Sequence, residues 1–299
     1  MRRFRTYHEV EDTARDIPAQ VAAQQERLTR RLADVRAVWL VGSGKGGVGK
    51  SAVTANLAAA LADRSFAVGG LDADVNGPSL ARMLGAERGP LRSDPDGVTP
   101  AAGVAGTRVI GMDLLLGSPD APVRWREPDA AAGFVWQGSL EAGAVREFLS
   151  DVAWGSLDVL LIDLPPGTDK LSRALQLVPD PAGVLLVTTP SEAARAVVAR
   201  SARLLRDAAI TRAGLVVNMA GHACPACGHV DPLFADAADD RLVRESGLET
   251  WARIPFHSGF ATATDAGRPP VRHDPDSPAA AALLGLADRI IRTLNTEVP

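Results

Sequence analysis

The segment Gly44-Lys45-Gly46-Gly47-Val48-Gly49-Lys50-Ser51 constrains this 299-residue chain more than any other stretch. It has the pattern G-x-x-x-x-G-K-[ST]. Glycines in such a loop let successive backbone N–H groups turn inward around phosphate oxygens. A helix that starts there adds the partial positive charge of its N-terminus. The flanks agree with this reading. Residues 37–41 form a short apolar run of the buried-strand type, and the alanine-rich stretch 50–62 predicts a helix. Lys50 is then placed to reach the β- and γ-phosphates of a nucleotide, and the Ser51 hydroxyl to ligate Mg²⁺. A glycine-rich turn of purely structural purpose leaves the Lys-Ser pair unexplained.

Composition sharpens the point. Of the 32 basic residues only Lys45, Lys50 and Lys170 are lysines. The chain uses arginine almost wherever a positive charge will do, yet places two lysines in this one loop. A compact ammonium is wanted there, not a planar guanidinium.

Beyond the loop, apolar runs alternate with helical patterns. Strands are predicted at 66–71, 158–162, 184–188, 215–217 and 250–254, with weaker candidates at 108–116 and 134–136. Helices are predicted at 12–35, 141–152, 191–208, 236–246 and 278–293, with residues 1–11 irregular. Stretches 86–107 and 117–133, rich in Gly, Pro and Asp, read as surface loops. This alternation predicts an α/β fold of the P-loop NTPase kind: a mostly parallel twisted sheet with helices on both faces. Residues 1–36 read as a helical lead-in, and 37–299 as one ATPase domain with a cysteine-bearing loop at 220–232.

Two strand ends carry acids. Val159-Leu160-Leu161-Ile162-Asp163 is an apolar strand closed by Asp163, the usual place for the acid that orients Mg²⁺. Pro165-Pro166-Gly167 follows and would pass near the γ-phosphate. Leu71-Asp72-Ala73-Asp74 closes an earlier strand, and one of its carboxylates is a candidate to hold the attacking water in line.

The chain has two cysteines, Cys224 and Cys227, with Pro225 and Gly228 shaping a tight turn. A disulfide framework is excluded, and a metal or redox pair remains. A thioredoxin-like pair normally opens a helix, whereas Pro225 and Gly228 indicate a loop. By local motif alone, zinc and an iron–sulfur cluster both fit. Zinc within one chain would have to draw on His222 and His229, which lie too close in sequence to surround one ion without strain. A [4Fe–4S] cluster is normally held by four thiolates, and one chain supplies two. Two chains supply four, which places one cluster across a homodimer.

With these motifs the chain resembles the Mrp/ApbC iron–sulfur carrier ATPases, within the class of MinD, ParA and the nitrogenase iron protein. The first lysine of Gly44-Lys45-Gly46-Gly47-Val48-Gly49-Lys50-Ser51 is similar to that class's deviant Walker A lysine. Asp72-Ala73-Asp74-Val75-Asn76-Gly77-Pro78-Ser79 resembles the family's switch I, and Ile162-Asp163-Leu164-Pro165-Pro166-Gly167-Thr168 its Walker B and switch II. Val217-Asn218-Met219, Cys224-Pro225-Ala226-Cys227 and Asp274-Pro275-Asp276-Ser277-Pro278 resemble its later segments, so the likeness runs from about residue 37 to the end. The resemblance implies that Lys45 acts across a dimer and that Asp74 positions water. It also implies that Asn218 bonds adenine and that Cys224 and Cys227 hold the cluster. Departures occur at Ala52, where many relatives carry a hydroxyl near the α-phosphate, at Trp136-Gln137-Gly138-Ser139 and at Gly167-Thr168-Asp169. They bear on hydrolysis and switch coupling rather than on nucleotide binding.

The expected function is a slow ATPase that carries an iron–sulfur cluster as a homodimer and delivers it to apo-proteins. ATP, Mg²⁺ and a dimer-bridging [4Fe–4S] cluster are its expected ligands. A MinD- or ParA-like positioning ATPase and a nucleotide-binding scaffold with a zinc knuckle are the alternatives. A net charge of −4 and only 4% aromatic residues disfavour nucleic-acid binding. No apolar run approaches the ~18 residues of a membrane span, and the first dozen residues lack a signal-peptide pattern. A cytoplasmic location without membrane partners is expected. A membrane-binding tail is only weakly suggested by the amphipathic stretch 278–293, whose cations are Arg289 and Arg292.

Overall fold

A computed structural model gives the architecture; it describes residues 17–296 except 88, 90, 117–132, 179, 225 and 235. The expected surface loop at 117–133 and the irregular start at 1–11 therefore lie outside or almost outside the described residues. The strands are β1 (Val38–Ser43), β2 (Val68–Asp72), β3 (Ser93–Asp94), β4 (Gly97–Val98), β5 (Ala101–Ala102) and β6 (Arg108–Ile110). They continue with β7 (Val159–Asp163), β8 (Gly183–Thr188), β9 (Ala213–Ala223), β10 (Val230–Asp231) and β11 (Glu249–Phe256). The helices are α1 (Ile17–Leu32), α2 (Lys50–Ala62), α3 (Leu80–Met83), α4 (Gly133–Asp151) and α5 (Thr168–Leu177). After them come α6 (Glu192–Asp207), α7 (Asp236–Ser246), α8 (Ser258–Asp265), α9 (Pro270–His273) and α10 (Pro278–Asn295).

Among the described residues one nine-stranded sheet dominates, in the order β10-β9-β8-β1-β7-β2-β6-β5, with β11 on the other side of β9. β1 pairs parallel with both β7 and β8, β2 with β6 and β7, and β9 with β8 and β11. Only the edges are antiparallel: β5 on β6, and β10 on β9. The central strands are apolar up to their carboxyl ends, where Ser43, Asp72, Asp163 and Thr188 stand, because both faces are covered, and every residue of β1, β2, β7 and β8 is buried. Strand order reverses around β1, and in such sheets ligands bind at the carboxyl ends beside the reversal.

Helix α2 has apolar residues on all sides and is buried accordingly. It lies beside β2 and under α10. α10 starts at Ser277, whose side chain accepts a hydrogen bond from the Ala280 N–H. It buries Leu283, Leu286, Ala287, Ile290 and Leu294. The apolar stripe at 278–293 thus faces the core instead of a membrane. No helix among the described residues is long and apolar enough to cross one.

Four local readings need correction. The strand candidate at 134–136 lies inside α4, which starts at Gly133 and extends the expected helix at 141–152. Three consecutive apolar residues carry no period, so they cannot separate strand from helix. The supposed loop at 86–107 contains the β3–β4 hairpin and the edge strand β5, with Val98 and Ala101 buried. Two-residue strands are too short for alternation to show. Of the strand candidate 108–116 only the first residues pair; a 3₁₀ turn at Met112–Leu114 follows. The cysteine segment is not a free loop, because β9 runs on to Ala223 and returns as β10.

Candidate functional site

The glycine-rich loop leaves the end of β1 and enters α2 at the carboxyl edge of the sheet. The Ser43 hydroxyl donates to the Lys45 carbonyl at 3.0 Å. Gly49 has φ +81° and faces the Asn218 amide; a Cβ there would lie 2.3 Å from Asn218 Nδ2. No other residue type fits that backbone and that gap. Asn218 Nδ2 donates to the Val48 carbonyl at 2.8 Å, so this strand-borne amide touches the loop itself. Lys45, Gly46 and Gly47 are exposed, Gly44, Ser51 and Ala52 half-buried, and Val48 buried.

Lys50 points inward. Its Nζ lies 2.6 Å from Asp163 Oδ2, with the two side chains 7% and 0% exposed. Ser51 Oγ donates to the same oxygen at 2.5 Å, and Thr54 Oγ1 donates to Asp163 Oδ1 at 2.7 Å. A buried ion pair of this kind is tolerable because the remaining lone pairs of the carboxylate are also satisfied. The sequence therefore brings Lys50, Ser51 and Asp163 together as expected, and Thr54 is a partner it did not single out. Thr54 lies one helical turn beyond Lys50, on the same face of α2. The Ser51 hydroxyl and Asp163 carboxylate are hard oxygen donors, a set that suits Mg²⁺ held mainly by phosphate and water. Among the described residues no group of three or more His, Cys, Asp or Glu could cage a metal ion.

The two acids at the end of β2 separate into different roles. Asp72, opposite Asp163 in the β2–β7 register, is fully buried. Its carboxylate accepts from the N–H groups of Asp74 (3.0 Å), Ser79 (2.7 Å) and Leu80 (2.8 Å). It folds the loop 73–79 back and starts α3. Burial and the neighbouring Asp163 charge push Asp72 up to about 7, against the pull of the Leu80 and Ser79 N–H groups and of Lys50. Asp74 is half-buried, and among the described residues its Oδ1 receives the Gly77 N–H alone, at 3.2 Å.

Glu141 escaped the sequence reading. From α4 it accepts from Asn76 Nδ2 and from Lys170 Nζ, each at 2.6 Å. One carboxylate thus joins the loop after β2 to α5, which follows Pro165-Pro166-Gly167. The Gly167 N–H is in turn held by the Ser43 carbonyl at 2.8 Å. The chain's third lysine was the available signal: in an arginine-rich sequence, Lys170 marks a specific contact.

Cys224 and Cys227 sit at the tip of the β9–β10 hairpin. The Cys224 N–H donates to the His229 carbonyl at 2.8 Å, and the Gly228 N–H to the Cys224 carbonyl at 2.9 Å. Gly228 closes the turn with φ +71°. The N–H groups of Ala226 and Cys227, and the Cys227 thiol, point at the Cys224 sulfur and lower its pKa. This favours the thiolate, the form that binds metal. Cys227 is exposed and Cys224 half-buried. Below the tip, Met219 has φ +55° within β9. There β9 advances from Asn218 to His222 while β11 advances only from Ile254 to Phe256. This bulge lies between the residue that touches the phosphate loop and the cysteines.

Comparisons with known proteins identify the family and the fold. A family model described as ParA, NUBPL iron-transfer P-loop NTPase, matches residues 34–291. The iron–sulfur cluster carrier protein of Saccharolobus solfataricus is 36% identical over 94% of this chain and 92% of its own length. The cytosolic Fe–S cluster assembly factor NUBP2 of Bos taurus is also 36% identical, over 87% of this chain and 94% of its own. A nucleotide-binding protein of Archaeoglobus fulgidus, solved in complex with ADP, superposes with a TM-score of 0.68 at 36% identity, covering 82% of this chain and 91% of that one. MinD of Pyrococcus horikoshii, at 22% identity and a TM-score of 0.57 over 86% and 96%, shares the fold.

Proposed function

This chain belongs to the iron-transfer P-loop NTPases of the ParA/NUBPL family, and from that membership we propose that it is a homodimeric ATPase that carries an iron–sulfur cluster to apo-proteins. One observation carries the reading. A single strand, β9, presses Asn218 against the phosphate loop and presents Cys224 and Cys227 at its tip. Nucleotide and cargo are thereby attached to one element.

The phosphates of ATP enter the loop 44–51 and meet its N–H groups and Lys50, for which the γ-phosphate competes with Asp163. Ser51 and Asp163 would hold Mg²⁺, which would offset the charge of the β- and γ-phosphates. Asp74, the less occupied of the two β2 acids, orients a water toward the γ-phosphorus. The water oxygen bonds to phosphorus as the β–γ bridge breaks, releasing ADP and phosphate. Lys45, exposed at the loop mouth, reaches the nucleotide of the second protomer. Asn218 turns its amide to adenine, and Ala52 lies near the α-phosphate. Slow hydrolysis shifts the dimer between geometries, because nucleotide binds one more tightly than another. A cluster held by Cys224 and Cys227 of both chains responds to that geometry. These steps suit a cytosolic protein, as the bovine relative's name describes that protein.

The test is iron, acid-labile sulfide and zinc per chain after anaerobic reconstitution, with Cys224→Ala in parallel. About two irons and two sulfides per chain, lost in the variant, are expected for one four-iron cluster per dimer. Stoichiometric zinc without sulfide would make the hairpin a structural knuckle and sink the carrier reading. Transfer to an apo-enzyme that runs equally fast with ATP, without it, and with Lys50→Ala would sink the coupling.

A further inference from the structure

The loop that bears Asp74 is continuous with a contact far from the phosphates. Asp72 gathers the Ser79 and Leu80 N–H groups, at 2.7 and 2.8 Å, so α3 starts where that loop stops. The far end of α3 is fastened to the end of α8. Arg82 donates from Nη1 to the Asp265 carbonyl at 3.2 Å and from Nη2 to Asp265 Oδ1 at 3.1 Å. Two glycines close the contact. A Cβ on Gly85 (φ +62°) would lie 2.7 Å from the Gly267 carbonyl oxygen, and one on Gly267 (φ +71°) 2.7 Å from Gly85 Cα. Backbone meets backbone there, and no flexible side chain stands between to absorb a shift of α3.

Helix α8 is held unevenly. Thr264 alone of its residues is buried, and the Thr264 hydroxyl accepts from Asn56 Nδ2 of α2 at 3.2 Å. Ser258, Gly259, Ala261 and Thr262, toward the other end, are exposed. The helix thus has a fixed point one residue from the Arg82 contact and a looser arm of about 9 Å beyond it. Through His257 that arm joins the last residue of β11, Phe256. Phe256 pairs with His222 of β9, two residues before Cys224, and their rings stack 6.2 Å apart. The β9–β11 ladder shifts register between Ile254 and Phe256, so this last pair is not locked to the Ile254–Asn218 pair before it.

We propose that Arg82 and Asp265 are positioning residues that report the state of the nucleotide site to the cysteines, with α8 as the lever between the two. The proposal rests on the carrier reading above and names the contact that regulates its cargo end. When Asp74 engages water at the γ-phosphate, the loop 73–79 and α3 shift together. Arg82 and Gly85 then bear on Asp265 and Gly267, and α8 turns about Thr264. Its long arm moves Phe256 against His222. Because the arm beyond Thr264 is the longer one, a small shift at α3 is enlarged at the cysteine hairpin.

The chain has two cysteines, Cys224 and Cys227, so thiol alkylation reads the hairpin alone. The full chain, freed of metal, is treated with iodoacetamide with and without Mg·ATP, and alkylated cysteines are followed by mass. Mg·ATP should change the parent's rate about fivefold or more. Arg82→Ala should shrink that change to less than about twofold while ATP affinity stays at the parent's, since an exposed pair of this kind adds little stability. Arg82→Asp should behave likewise, and adding Asp265→Arg should restore part of the response. A full response in Arg82→Ala would overturn the proposal, as would a parent whose rate ignores nucleotide. Shielding by mere association with a second chain would give that full response, because Arg82→Ala leaves nucleotide binding intact. The carrier reading fails on a different result: a parent that takes up zinc and no sulfide loses its cargo, yet an Arg82-dependent alkylation response in the same protein keeps the lever.

Discussion

Lys50 and Asp163 meet at 2.6 Å in a place where neither is more than 7% exposed, and that pair ties the nucleotide loop to the central strand β7. Asp163 also holds Ser51 and Thr54, so one carboxylate organises the start of α2. Removing it strands a buried ammonium. Asp163→Ala is expected to cost about 3 kcal/mol, or roughly 6–12 °C in Tm, and to abolish Mg²⁺-dependent hydrolysis. Asp163→Asn, whose amide oxygen can still accept from Lys50 and Ser51 while its NH₂ can only donate toward Thr54, should lose hydrolysis with a smaller drop in Tm. Thermal melts beside a phosphate-release assay check both. Equal melting of the parent and Asp163→Ala would contradict the role given to the pair.

Asn218 and Gly49 form a second test. Asn218→Ala deletes the bond to the Val48 carbonyl, with a cost of about 1 kcal/mol, and should weaken ATP binding several-fold. Gly49→Ala drives a methyl against the same amide in a left-handed backbone, and should abolish binding. In the double variant the clash disappears but the backbone strain stays, so binding should recover only in part. A double-mutant cycle on ATP affinity reads the coupling, and additive losses would argue against the contact.

Glu141 joins Asn76, in the loop after β2, to Lys170 of α5. It acts as a positioning residue. Glu141→Ala should lower kcat several-fold by loosening the loop that bears Asp74, while ATP affinity changes less than twofold. Exchange of the charges, Glu141→Lys with Lys170→Glu, should restore part of kcat. A loss of affinity equal to the loss of kcat would instead mean a general loosening of the site.

Stability should depend on pH through two carboxyls. Burial, and then the Asp151 charge, push Glu147 up to about 7, and Asp72 also sits at about 7. Asp151 itself lies 3.6 Å from Arg27. Both acids have folded pKa values above their unfolded ones, so the folded state binds more protons between about pH 4.5 and 7. Stability is therefore full at the acid end of that window and falls as pH rises to 7. Glu147→Gln should flatten part of the slope and raise stability at pH 8 by about 1 kcal/mol, after allowance for partial exposure. Melting curves at pH 5 and 8 measure it; a parent protein more stable at pH 8 than at pH 5 would refute the assignment.

Much of the site was legible because phosphate chemistry leaves local marks. The loop 44–51, its strand, its helix and Asp163 at the end of an apolar run are all encoded within short windows. The structural part of Asp72 was not, since it depends on which carboxylate the Ser79 and Leu80 N–H groups reach. Glu141 was hidden for a similar reason: its partners, Asn76 and Lys170, lie far away in sequence. The β9–β10 hairpin was missed because its return strand has two residues and no period to read. By contrast α10, long and strongly periodic, was found nearly whole.

The bulge at Met219 separates the β9–β11 register that ends at Ile254↔Asn218 from the Phe256↔His222 pair beyond it, the second register shift of this ladder after the one between Thr250 and Ala252. An insertion or deletion toward the tip can be absorbed at this joint without shifting the amide that meets Val48. The hairpin 220–231 is in effect a cassette. Homologous exchange of that segment can alter the cysteine-bearing end while Asn218 keeps its alignment with the glycine-rich loop.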